Sequence, residues 1–168
     1  MEINPIDKVQ DFIDKLQGYS FEIKKQSDEG YDCLEEPEDI CVVIANPTSE
    51  NSLEIQFENE GEFTLFFGHT HSHYFNDDYE YNTLCDNVVD ILNNKLGSAS
   101  LFYGTEDKNW LGSTFVTLQQ VDQAIQQTFN FALKHEEFSN KLRDFGGEAR
   151  FVFWTDSLSK TIRIDKVN

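Results

Sequence analysis

The chain has 168 residues, of which 39% are hydrophobic and 14% aromatic, with fifteen Phe and a single Met. That length and ring content suit one domain over residues 1–168 with a buried core, and exclude a disordered acidic tail, which lacks aromatics and patterned apolar sequence. Thirty-one Asp and Glu against thirteen Lys and Arg leave a formal net charge of −18, which repels nucleic acid and anionic lipid and steers a cationic protein toward the surface.

Ile6, Val9, Phe12, Ile13 and Leu16 recur at helical spacing after Pro5 and before Gly18, and predict the first helix. "SFEIKKQ" from Ser20 alternates as a strand does. Residues 28–39, "DEGYDCLEEPED", hold seven acids and no base, the pattern of a solvated loop. "ICVVIAN" from Ile40 reads as a buried strand, far too short to span a bilayer. In "SLEIQFE" Leu53, Ile55 and Phe57 share one face, and in "FTLFF" Phe63, Leu65 and Phe67 do. The Gly-containing "NEGE" between them makes the pair a hairpin.

Leu84, Val88, Ile91, Leu92 and Leu96 predict a helix through "YEYNTLCDNVVDILNNKLG", acidic at its start, with Lys95 in the last turn and Gly97 as its stop. "SASLFYGT" and "LGSTFVTL" form a second hairpin around "EDKN". Thr117 and Gln120 are spaced as a capping box for a helix aligning Val121, Ile125, Thr128, Phe129 and Ala132. The phase slips at His135, and Phe138, Leu142 and Phe145 begin another stripe that ends at Gly146 and Gly147. "EARFVFW" and "KTIRID" make a last hairpin across "TDSLS", with Trp154 on the face of Arg150 and Val152, near Arg163. Hairpins separated by helices, without a βαβ rhythm, predict an α+β fold: a largely antiparallel sheet built from hairpins, with about three helices packed on it.

The N-terminus "MEINPIDKVQDFIDKLQ" has neither the basic flank nor the apolar core of a signal peptide. Cys33, Cys41 and Cys85 form no CxxC pair, which fits a reducing compartment. A cytoplasmic location is the expectation.

His69, His71 and His73 fall at every second position. They would share one face if the strand "FTLFF" ran on past Gly68, and imidazoles at i and i+2 of a strand can chelate zinc with Asp77, Asp78 or Glu80 nearby. "HSHY" resembles the start of the zinc-dependent isopeptidase motif, but Tyr81 and Leu84 stand where its serine and aspartate belong. "HTHSHYFND" resembles the opening of the polymerase-and-histidinol-phosphatase metal domain, whose later histidine motifs this chain lacks; its one other histidine is His135. We therefore expect no bound metal and no cofactor. No GxSxG, SxxK or phosphate-cradling glycine pattern is present, and Cys85 lies on the apolar side of its helix. The stretch Tyr74, Phe75, Asp77, Asp78, Tyr79 and Tyr81 combines rings that can act as anchors with charges that set encounter rate.

A small acidic α+β chain with surface aromatics and no catalytic signature resembles the bacterial immunity proteins of polymorphic and contact-dependent toxin systems. "EEFSNKLRDFGG", from Glu136, is similar to the helix-then-double-glycine signature of the SUKH immunity superfamily, placed late here where that family has it early. The resemblance implies a non-catalytic inhibitor that binds a basic toxin domain, such as a nuclease, and blocks its active site. The alternatives are a small metal-dependent hydrolase built on His69, His71 and His73, or a structural or regulatory adaptor.

Overall fold

A computed structural model describes residues 2–167. It is α+β with antiparallel strands, as expected, and its nine strands lie in two sheets rather than one. The chain divides into two compact units, Met1–Phe67 with His71–Val89, and Gly68–Thr70 with Asp90–Asn168.

The first unit opens with a 3-10 turn, Pro5–Lys8, that leads into helix α1, Val9–Lys15. Asn4 caps the turn by accepting from the Ile6 amide at 3.3 Å, and Pro5 stands in the first turn, where no amide donor is needed. Strands β1 (Phe21–Lys25), β2 (Ile40–Ile44), β3 (Leu53–Phe57), β4 (Phe63–Phe67) and β5 (Thr70–Tyr74) form a sheet in chain order. The β3–β4 hairpin has the expected register, with Leu53 opposite Phe67, Ile55 opposite Leu65 and Phe57 opposite Phe63.

All six of those side chains are at most 1% exposed, each contributing on the order of 1.5–3 kcal/mol through burial. Helices α1 and α2 (Asp78–Leu92) cover this face. Phe12 meets Phe57 with ring centroids 5.4 Å apart, and Tyr81 meets Phe63 at the same distance. The acidic run 28–39 is a loop, mostly exposed. Leu34 and Asp39 are buried, and the Asp39 carboxylate accepts from the amides of Glu36 at 3.0 Å and Asn59 at 2.8 Å, pinning the loop to the β3–β4 turn.

In the second unit, strands β6 (Leu96–Tyr103), β7 (Trp110–Thr117), β8 (Gly147–Val152) and β9 (Lys160–Ile164) form a sheet ordered β7-β6-β8-β9. The helix expected to reach Gly97 stops at Leu92. Asn94, at φ 58°, takes the left-handed position instead, and its side chain exchanges hydrogen bonds of 2.9 and 2.7 Å with Thr155. Gly97 lies inside β6, where a Cβ would come within 2.6 Å of the Phe153 ring and the Val152 carbonyl. Close packing, not helix termination, requires that glycine.

The capping box at Thr117 and Gln120 is present, but the helix expected through Ala132 is three single turns: α3 (Leu118–Val121), α4 (Ile125–Thr128) and α5 (Asn130–Leu133). Ala124 is extended, with ψ 136°, and breaks the ladder. Val121, Phe129 and Ala132 are nonetheless buried in one core with Ala99, Leu101, Ala149 and Phe151; their spacing reported burial rather than continuity. Helix α6 (Glu136–Phe145) starts after His135 and ends at Gly146, φ 68°. Trp154 is 7% exposed just beyond β8. Arg163 pairs across the ladder with Glu148, near the start of β8, whereas Trp154 lies beyond its end.

Candidate functional site

The histidine run is divided by a turn. Strand β4 ends at Phe67, Gly68 adopts φ 59°, and β5 begins at Thr70. The strand therefore does not continue past Gly68, and the three imidazoles do not share a face. A Cβ at Gly68 would strike Ser98 Oγ, so the turn depends on glycine for both space and conformation. In the second unit, the ring of His69 stands edge-on to Phe102 at 5.4 Å, and Thr70 donates to Ser113 Oγ at 2.8 Å.

His71 and His73 alternate along β5 on the face of the first sheet opposite α1 and α2. His71 packs 5.6 Å from the Phe66 ring and 5.0 Å from His73, to which it is perpendicular. His73 Nδ1 meets the Glu62 carboxylate and lies 3.3 Å from Thr64 Oγ1; since a carboxylate only accepts, Nδ1 carries the proton. Glu54 is in register with Phe66, and Gln56 with Thr64. On the β1–β2 side of the same face, Lys24 stands over the Tyr31 ring at 5.9 Å, and burial pushes the Tyr31 hydroxyl up to about 12. Among the described residues, no three His, Cys, Asp or Glu are grouped so as to hold a metal.

The aromatic stretch after β5 is divided too. Tyr74 and Tyr81, expected as surface anchors, are 5% and 2% exposed. Tyr74 accepts from Asn87 Nδ2 at 2.7 Å. Tyr81 donates to Asp11 at 2.6 Å beneath the ammonium groups of Lys8 and Lys15, 5.1 and 4.5 Å from its ring. Burial raises the hydroxyl pKa of both, that of Tyr81 strongly. The missed signal is positional: Tyr81 precedes Leu84 and Val88 by three and seven residues, on their apolar stripe. Asp77 caps α2 by accepting from the Glu80 amide at 2.8 Å. Asp78 pairs with Lys8 at 2.8 Å, a contact that holds its carboxyl below the usual range. Phe75 and Tyr79 remain on the surface, 74% and 76% exposed.

Two of the three thiols, Cys41 and Cys85, are poorly placed as nucleophiles, whereas Cys33 is exposed. Burial pushes Cys41 up to about 12 and raises Cys85, and the thiolate is the reactive form. In the second unit an open groove of about 440 Å³ is lined by Ile125, Leu133, Leu142, Ile164, Arg143 and Ser139 among others. The Ser139 hydroxyl there donates to the Leu133 carbonyl at 2.6 Å.

Charge separates the two units sharply. The first holds twenty-one of the acids and four of the bases, a net of −17; the second holds ten acids and nine bases, a net of −1. Almost all of the chain's net negative charge belongs to the unit that carries His71, His73, Phe75 and Tyr79. No protein-family model matches the chain, and comparisons with curated proteins and with solved structures give no significant match.

Proposed function

We propose that this chain is a non-catalytic binding protein that captures a basic protein partner through its acidic unit, in the manner of an immunity-type inhibitor of a cationic toxin domain. The observation that carries the reading is the confinement of a −17 charge to the unit bearing the exposed rings of Phe75 and Tyr79. A field of one sign accelerates encounter with a cation, and exposed rings supply the area that holds it once docked. The competing hydrolase reading requires three convergent ligands, and His69 lies in the turn before β5, whereas only His71 and His73 belong to the strand.

The test is recovery of partners from the native host with untagged chain, followed by association kinetics with each purified partner. The reading predicts a basic protein whose association slows as salt rises. Recovery of only acidic proteins or small molecules overturns it. Near-stoichiometric zinc in untagged protein, lost from a His71→Ala/His73→Ala double variant, would replace it with the hydrolase.

A further inference from the structure

We infer that the face of the first sheet carrying Phe66, His71 and His73 docks an extended segment of the basic partner with arginines at alternate positions. This rests on the reading of the first unit as a receptor for a basic protein and assigns the face and the residue chemistry. Three observations support it. First, the ring centroids of Phe66, His71 and His73 follow one another at 5.6 and 5.0 Å, and both histidines are exposed. Second, Phe75, one residue beyond the end of β5, is 74% exposed. Third, carboxylates flank the strip: Glu62 on His73, and Glu54 in register with Phe66.

A guanidinium matches that combination. It is planar, stacks on rings, and offers a rigid fork of donors to carboxylates, whereas an ammonium is a compact and strongly hydrated point charge. The spacing favours a strand-like ligand. Alternate residues of an extended chain project to one side about 6.6 Å apart, the period on which His71 and His73 are set in β5. The charge of the unit, −17, makes the cation the complementary occupant.

The experiment uses the full isotopically labelled chain and two synthetic peptides of equal length, one alternating arginine with threonine and one alternating lysine with threonine. At low salt the arginine peptide is expected to bind at least about fivefold more tightly, and to shift the imidazole resonances of His71 and His73 and the ring resonances of Phe66 and Phe75. His71→Ser/Phe75→Ser should abolish the preference for arginine, while Trp110→Ala, at an exposed ring of the second unit, retains it. Both sites are exposed, and melting curves confirm that the variants fold; the shift map of the unaltered chain decides if they do not.

Equal affinities, or shifts confined to residues 28–39 or to α2, overturn the face assignment and leave the basic-partner reading standing. If neither peptide binds and no basic protein is recovered from the host, both fall.

Discussion

Tyr81 donates a 2.6 Å hydrogen bond to Asp11, tying α2 to α1. Lys15 reaches the same carboxylate at 2.6 Å, and these two contacts, Lys15 first, hold the Asp11 carboxyl below its ordinary 3.8. Tyr81→Phe keeps the ring against Phe63 and removes the donor. Its expected cost is about 1 kcal/mol in denaturant melts at neutral pH. A carboxylate with a depressed folded pKa stabilises the fold above its unfolded pKa, and that stabilisation is lost as pH falls through the folded value. The gap between Tyr81→Phe and the unaltered chain should therefore narrow below about pH 3.8. A gap that is constant through acid would show that the hydrogen bond does not favour the ionised carboxyl.

Ile55 and Leu65, opposite each other in the β3–β4 hairpin and both fully buried, should each lose about 2–5 kcal/mol on truncation to Ala. Glu54, on the other face and only half-buried, should lose about 0.5 kcal/mol or less. Equal losses on the two faces, read from the same melts, would mean that both sides of this sheet are buried.

That hairpin was legible because a period of two with one buried face specifies register. The histidines were not, because "HTHSH" alternates in the same way whether the strand continues or turns. The turn lies in the φ 59° of Gly68 and in the closeness of Ser98, a residue thirty positions away. Gly97 misled for the related reason that a glycine required by a distant ring, Phe153, looks locally like a helix stop. The segregation of charge was present in every residue count, yet it emerges only once the boundary between units is known.

Glu58 carries its charge at a cost. Burial raises its pKa above the ordinary 4.5, with its neighbours Glu62, Asp39 and Glu35 adding to the rise. A raised folded pKa means that the ionised form destabilises the fold at neutral pH, and that this penalty disappears as pH falls below the unfolded value. Glu58→Gln should therefore melt at a higher temperature than the unaltered chain at pH 7 and lose that advantage below about pH 4.5. A lower melting temperature at pH 7 would show that hydrogen bonding to the carboxylate outweighs its desolvation.

Ser98 is 1% exposed, and among the described residues its hydroxyl has no hydrogen-bond partner. A buried hydroxyl left unpaired costs about 1–3 kcal/mol, so Ser98→Ala should stabilise the chain by about 1 kcal/mol. Destabilisation by a similar amount in chemical denaturation would reveal a partner for the hydroxyl.

On the proposed function, the acidity of the first unit draws in a basic protein. The most direct measurement is the association rate of the full chain with a basic protein recovered from the host, at about 50 mM and about 300 mM salt. Two variants accompany it, Glu35→Gln/Glu38→Gln/Asp86→Asn in the first unit and Glu106→Gln/Asp122→Asn/Glu136→Gln in the second. The rate should fall about tenfold or more between the two salts, with slowing by the first variant and not by the second. Association that ignores salt, or that slows equally in both variants, would contradict the proposed function.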